Sequence, residues 1–258
     1  MARPPGTPRK RRLKDLSFNR MIPNILTLMA LAAGLTAIRF GLDERWEHAV
    51  LAIIVAAVLD GLDGRIARLL KGASKFGAEL DSLSDFVCFG VSPALVLYLW
   101  TMKDAGRLGW VLVMLFAICC GLRLARFNVM MEDEDAPPWQ ARFFTGIPAP
   151  AGGGLVLLPM ALSFQGDEEF FRQPWVVGIV LLVLAGMLVS TIPTYSFKKL
   201  KISRKWILPT MLIAGAIVVF LINAPWLTLS VAGVAYICSI PLSYRAEQAL
   251  KKAEGWTG

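Results

Sequence analysis

The chain has 258 residues, of which 56% are hydrophobic and only 18% charged, and it carries a net charge of +8. This composition is typical of integral membrane proteins and argues against a soluble domain. The four cysteines include no C-x-x-C pair, which indicates neither a disulfide framework nor a zinc site. Since the only histidine, His48, lies in a short polar turn, any metal would have oxygen ligands.

Apolar stretches long enough to cross a bilayer recur along the chain, each needing about 20 residues. We predict an all-α, polytopic transmembrane helix bundle in which residues 21–244 form one membrane domain between a basic arm (1–20) and a tail (245–258). The eight predicted spans run roughly over residues 21–41, 47–69, 79–101, 108–130, 146–164, 174–195, 206–222 and 225–244.

The basic residues are distributed unevenly between the two predicted faces. If the N-terminus is cytoplasmic, eight spans return the C-terminus to the same side, and 22 of the 27 lysines and arginines lie inside. The positive-inside rule therefore predicts cytoplasmic termini. Part of this charge also suits anionic lipid head groups, whereas nucleic-acid binding is not indicated, because the basic residues are split among short loops.

Residues 59–86, "LDGLDGRIARLLKGASKFGAELDSLSDF", place four carboxylates at a membrane boundary. Asp60 and Asp63 recur at helical spacing on one face of the second span, and Asp81 and Asp85 do the same on the third. Ionisable residues within spans are costly and point to function.

The same segment is symmetric about its turn. Folded between Gly72 and Ala73, it sets Asp60 opposite Asp85, Gly64 opposite Asp81 and Arg68 opposite Gly77. Converging carboxylates repel one another, and a divalent cation such as magnesium, manganese or calcium would relieve that repulsion. Four acids have enough oxygens for two ions, as in phosphoryl-transfer sites. Alternatively, the acids neutralise the basic residues between them, namely Arg65, Arg68, Lys71 and Lys75.

Residues 60–85 match D-x-x-D-G-x-x-A-R-x8-G-x3-D-x3-D without a gap, and this segment resembles the signature of the CDP-alcohol phosphotransferase family. The resemblance implies a six-helix catalytic core in a plasma (inner) membrane protein with a cytoplasmic active site. It also implies a homodimer, two Mg²⁺ or Mn²⁺ ions, and transfer of a phosphoalcohol from a CDP-linked lipid to an acceptor hydroxyl.

Site residues follow from the resemblance position by position. Asp60, Asp63 and Asp81 would be metal ligands, and Asp85 would be the general base and a further ligand. The residues implied to contact the CDP-lipid, or to leave room for its nucleotide, are Asn24, Thr27, Gly64, Ala67, Arg68, Ser74 and Gly77.

Two downstream stretches, "GLRLARFNV" (121–129) and "FFTGIPAPAGGG" (143–154), resemble the phosphatidylserine synthase branch. This branch transfers the phosphatidyl group of CDP-diacylglycerol to L-serine. Arg123 and Arg126, with Asn128 nearby, would then bind the lipid phosphate or the serine carboxylate, although positive-inside anchoring also explains the two arginines.

Two alternatives to serine transfer remain at this stage. A sibling enzyme would use inositol or glycerol 3-phosphate, with Lys201, Arg204 or Lys205 supplying a basic pocket for the latter. A divalent-cation transporter would use the same acids as its ion path, although such sites typically lie at the midplane between repeats.

Overall fold

The computed structural model describes residues 18–70, 72, 74–131, 143–190, 193–195 and 207–253, and it has a helix in each of the eight predicted stretches. The helices are α1 (Phe18–Leu42), α2 (Trp46–Leu69), α3 (Lys75–Asp85), α4 (Ser92–Trp100), α5 (Gly106–Met131), α6 (Ala149–Val156), α7 (Leu158–Ser163), α8 (Glu168–Phe171), α9 (Pro174–Val189), α10 (Ile207–Asn223) and α11 (Pro225–Ala253). Residues 1–17 of the predicted arm and the basic stretch 196–206, with Lys201, Arg204 and Lys205, lie outside the described residues.

Within the described ranges, three helical segments are long and apolar enough to cross a membrane: Met21–Leu42, Lys75–Trp100 and Met102–Met130. Shorter apolar helices cover Pro174–Val189 and Pro225–Pro241. The all-α membrane architecture is confirmed, while the count of eight spans stays a prediction. The described strands are β1 (Phe143–Thr145) and β2 (Pro193–Tyr195), which pair antiparallel as one short ribbon.

The third predicted span is one long helix with a wide turn in its middle. Asp85 ends α3, a π-helical turn follows over Phe86–Val91, and α4 continues from Ser92. The Ser92 N–H donates to the Val87 carbonyl, five residues back. Pro93 explains the position of this turn, because it has no N–H to donate to Phe89 and its ring crowds that carbonyl.

The fifth predicted span is broken into α6 and α7 at Leu157. Pro159 causes the break, since it cannot donate to the carbonyl of Leu155. At the other end, Pro148 caps α6 and Pro150 lies in its first turn, where a proline is well tolerated. Gly146 turns the chain into α6 with φ +79°, where a side chain would be strained.

The buried core surrounds the π turn, which packs against α4, α5 and α6, while α9 packs against α5 and α6. Its largest fully buried side chains include Phe89, Trp100, Phe116, Met160 and Leu181. Helix α1 packs along α2 and also contacts α3. These contacts bring one end of α1 beside the acidic segments of α2 and α3.

Candidate active site

Three carboxylates from two helices converge on one small volume. Asp60 and Asp63 come from α2 and Asp81 from α3, and one oxygen of each lies within 4.8 Å of the others. Helix α2 ends at Leu69 and α3 begins at Lys75, and both helices pack against α1. Helical spacing within α2 and within α3 thereby becomes proximity in space. A set of carboxylate oxygens at this separation suits a hard divalent cation.

Asp63 is held from the side by α1. It is only 4% exposed, and the Thr27 hydroxyl donates to its Oδ2 over 2.6 Å. The same hydroxyl lies 3.1 Å from the Pro23 carbonyl one turn back. Since a buried carboxylate needs hydrogen-bond partners, Thr27 both orients Asp63 and satisfies one of its lone pairs.

Asp85 joins the cluster one turn beyond Asp81. Its carboxyl group is within hydrogen-bonding reach of Asp60 and within electrostatic range of Asp81 and Arg123. The structure therefore brings all four acids of the hairpin together, with Asp60 and Asp85 as neighbours, as the fold about Gly72–Ala73 predicts.

Small residues allow α3 and the π turn to pack closely against α1. This packing was not predicted from the sequence. The Ser84 hydroxyl donates to the Thr27 carbonyl (3.3 Å), and Cys88 Sγ donates to the Ala30 carbonyl (3.2 Å). A Cβ at Gly34 would lie 2.7 Å from Cys88 Sγ. The available signal was the four-residue spacing of Ser84 and Cys88, which places two small polar side chains on one helix face.

Ser74 and Gly77 form the entry to α3. Ser74 is the N-cap, and its hydroxyl accepts a hydrogen bond from the Gly77 N–H (3.0 Å). A Cβ at Gly77 would lie 2.9 Å from Asn24 Oδ1. Thus Gly77 lets the Asn24 side chain reach this helix start, a contact that the sequence does not reveal.

The space beside Gly64 is open. Within the described part of the chain, no atom outside the local backbone of α2 and the residues next to Gly64 lies within 4 Å of where its Cβ would be. Arg68, also exposed, donates from Nε to the Gly64 carbonyl over 3.0 Å, and Ala67 on the preceding position is half-buried. This face of α2 is therefore a small exposed surface next to Asp63, with the Arg68 guanidinium at its edge.

The neutralisation alternative gains no support from the described residues. Among them, no ion pair within 4.0 Å joins any of the four acids to Arg65, Arg68 or Lys75, while Lys71 lies outside the described residues. The acids therefore face each other rather than the basic residues of their own hairpin.

Arg123 on α5 is buried close to Asp85. It is 7% exposed, and its Nε has no hydrogen-bond partner in the described part of the chain. Its guanidinium carbon lies 5.8 Å from the centre of the Phe127 ring, one turn along the helix. A buried N–H without an acceptor is costly, so this arginine is suited to bind an anionic group of a ligand.

Arg126 and Asn128 have protein partners instead. Arg126 donates to the carbonyls of Val189 (2.7 Å) and Ser190 (3.0 Å), where α9 ends. The Asn128 amide donates to the Ser82 hydroxyl (2.9 Å) and so ties α5 to α3. Arg123, Arg126 and Asn128 therefore have different surroundings, although the sequence analysis assigned all three to one binding role. The sequence could not distinguish them, because their partners are distant along the chain.

Comparisons with known proteins agree with this geometry. A family profile described as CDP-alcohol phosphatidyltransferase matches residues 20–188, and one described as CDP-alcohol phosphatidyltransferase 2 matches residues 205–241. The chain is 38% identical over 243 residues to the CDP-diacylglycerol–serine O-phosphatidyltransferase of Mycobacterium tuberculosis, covering 94% of this chain and 84% of the relative.

More distant relatives carry the same name. The Helicobacter pylori protein is 36% identical over 186 residues, covering 70% of this chain and 74% of the relative. The Bacillus subtilis protein is 34% identical over 179 residues, covering 69% and 92%. Because the first profile covers more than half of the chain and includes the whole acidic hairpin, this chain belongs to the CDP-alcohol phosphatidyltransferase family.

Proposed function

We propose that this membrane protein transfers the phosphatidyl group of CDP-diacylglycerol to the hydroxyl of L-serine, forming phosphatidylserine and CMP. The observation that carries the proposal is the convergence of four carboxylates beside the buried Arg123, whose Nε has no hydrogen-bond partner among the described residues. The acids provide a place for a cation and a base, and the arginine provides a place for an anionic group. The names of the relatives support serine as the acceptor.

The carboxylates would hold the metal. Asp60, Asp63 and Asp81 supply oxygens close enough to share an ion, and Asp85 beside Asp60 would complete a place for a second one, with Mg²⁺ or Mn²⁺ as the expected metals. When bound, the ions would offset the negative charge of the pyrophosphate and of the departing CMP.

The CDP-lipid would lie along the exposed face of α2. The open space at Gly64 permits close approach of the pyrophosphate, with Ala67 adding little bulk, and Arg68 stands at its edge. Asn24 and Ser74 present polar groups at the start of α3 beside Gly77. Thr27 contributes through its hydrogen bond to Asp63.

Asp85 would act on the acceptor. Its carboxylate accepts the proton of the serine hydroxyl, the serine oxygen forms a bond to the β-phosphorus, and the bond from that phosphorus to the CMP oxygen breaks. Arg123, within electrostatic range of Asp85, would hold the serine carboxylate and thereby place the hydroxyl near the base. Positioning of this kind supplies much of the rate acceleration in such reactions.

We further propose that the site faces the cytoplasm of a multi-pass inner-membrane protein, since the charge distribution predicts that orientation. CDP-lipid and serine are both made on that side. A homodimer is what the family resemblance implies, and bilayer lipid surrounds the exposed apolar faces of α1 and α5.

One assay with purified protein tests the reaction. Supplied with CDP-diacylglycerol and Mn²⁺ or Mg²⁺, the protein should release CMP when serine is added, and not when inositol or glycerol 3-phosphate replaces it. Preference for another acceptor would refute serine but keep the reaction class, whereas no CMP release with any of the three would refute both.

The role of Asp85 is tested by Asp85→Asn, which should abolish serine-dependent CMP release while the protein stays folded. Asp43→Asn is the matched control, because Asp43 is an exposed acid in the turn after α1, whose ion pair with Arg39 is loose at 4.0 Å. Full activity in Asp85→Asn would refute Asp85 as the base.

A further inference from the structure

The π turn that follows Asp85 is enclosed by glycines from three helices. A Cβ at Gly34 of α1 would meet Cys88 Sγ at 2.7 Å, and one at Gly121 of α5 would meet the Phe86 ring at 3.2 Å. Gly90 lies inside the turn and faces α5. A Cβ added at Gly90 would lie 3.1 Å from the Cβ of Cys120. At these glycines, helices α1 and α5 therefore approach the turn more closely than a residue with a side chain would allow.

Gly153 of α6 makes the closest of these contacts to the backbone. A Cβ at this position would lie 2.8 Å from Phe89 Cα and 2.9 Å from the Phe89 carbonyl oxygen. Both are backbone atoms, and Phe89 itself is 1% exposed, so a rotamer change cannot relieve the clash. The next residue, Gly154, differs, because in the described ranges no atom from another helix lies within 4 Å of its Cβ position.

We infer that Gly153 is a positioning residue for the reaction: by lacking a side chain it lets α6 seat against the π turn, and the turn holds the Asp85 carboxyl group beside Asp60. This inference rests on the proposed role of Asp85. A π turn contains an extra residue relative to an α-helix and is a frequent feature of functional sites. It is also the point where this helix yields most easily, since its hydrogen-bond ladder is already interrupted at Pro93.

The physical route from Gly153 to the acid is short. Phe89 lies one turn after Asp85 on the same helix, and Asp85 is the residue before the turn begins. A methyl group at position 153 forces either α6 or the turn to move by several tenths of an ångström. We expect the turn to move, because its hydrogen-bond ladder is interrupted at Pro93. The Asp85 carboxyl then shifts relative to Asp60 on α2 and Arg123 on α5.

The test compares Gly153→Ala with Gly154→Ala in the purified full-length protein. Each adds one methyl group to the same helix, but only the first meets backbone. For Gly153→Ala we expect kcat with serine to fall about 10- to 100-fold, the cost of a sub-ångström to 1 Å misplacement. We also expect the Mn²⁺ concentration at half-saturation, measured by electron paramagnetic resonance without substrate, to rise. Gly154→Ala should keep both quantities within about twofold of the parent protein.

The Mn²⁺ titration separates positioning from a merely structural role. If Gly153→Ala lowers only the melting temperature, while kcat per folded protein and Mn²⁺ half-saturation match those of Gly154→Ala, the inference is overturned. If Gly153→Ala does not fold, Gly90→Ala decides the matter in the same two measurements, because its methyl group, inside the turn, would lie 3.1 Å from Cys120 Cβ and displace the turn from α5. Asp85→Asn serves as the separate check: its full activity would overturn the role of Asp85, whatever the glycine variants do.

Discussion

Replacing Thr27 by valine removes one hydroxyl group from the wall of the acidic cluster and keeps the shape of the side chain. In the structure this hydroxyl donates to Asp63 Oδ2 over 2.6 Å, and both residues are 4% exposed. Water therefore has little access to take its place. Without it, the Asp63 carboxylate loses the partner that stabilises its charge and fixes its direction.

The size of the effect follows from the type of bond. A hydrogen bond to a charged group contributes about 1.5–3 kcal/mol, and about 1.4 kcal/mol corresponds to a tenfold change in an equilibrium constant. Thr27→Val should therefore weaken divalent-cation binding about 10- to 100-fold, the range typical when a residue that orients a metal ligand is lost.

The assay is a Mn²⁺ titration of the purified protein, followed both by electron paramagnetic resonance and by serine-dependent CMP release. Thr36→Val is the matched control, because the Thr36 hydroxyl also bonds one turn back within α1, to the Ala32 carbonyl at 2.6 Å, but on an exposed face. Excess Mn²⁺ should restore much of the activity of Thr27→Val. Superimposable titrations for Thr27→Val and Thr36→Val would refute the reasoning, because the hydrogen bond to Asp63 would then have no influence on the metal.

Three further predictions use simpler perturbations. Arg123→Lys should raise the KM for serine about tenfold or more, because a single ammonium replaces a planar guanidinium, and the melting temperature should change little. An unchanged KM would show that Arg123 does not bind the acceptor. Arg126→Lys should instead lower the melting temperature at a near-normal KM, since Arg126 donates hydrogen bonds to the carbonyls that end α9. A raised KM for serine with an unchanged melting temperature would contradict our assignment of the two arginines. Removing divalent ions with EDTA should abolish CMP release and added Mn²⁺ or Mg²⁺ should restore it, so full activity in a verified metal-free preparation would refute the metal requirement.

Much of the candidate site could be predicted from the sequence because its key spacing is local. Residues three and four apart on a helix share a face whatever surrounds them, so the stripes of Asp60 with Asp63 and of Asp81 with Asp85 follow from the order of residues alone. A short turn then makes the two stripes neighbours. The convergence of the acids needed no knowledge of the rest of the chain.

Other features depend on which helices pack together. Thr27 precedes Asp63 by 36 positions, and Arg126 precedes Val189 by 63, so no local period relates them. The π turn was also missed, because Pro93 within an apolar run signals a disturbed helix but not the kind of disturbance.

The sequence by itself determined the membrane character, the helical elements, the family and the four acids, since hydropathy and helical spacing act over short distances along the chain. Only the tertiary structure decided how the site is supported. It pairs Thr27 with Asp63 and Arg126 with the end of α9, and it leaves Arg123 Nε without a partner among the described residues. It also places Gly153 against the backbone beyond Asp85. Those decisions depend on how closely helices distant in sequence approach one another, and close approach is a property of packing in three dimensions.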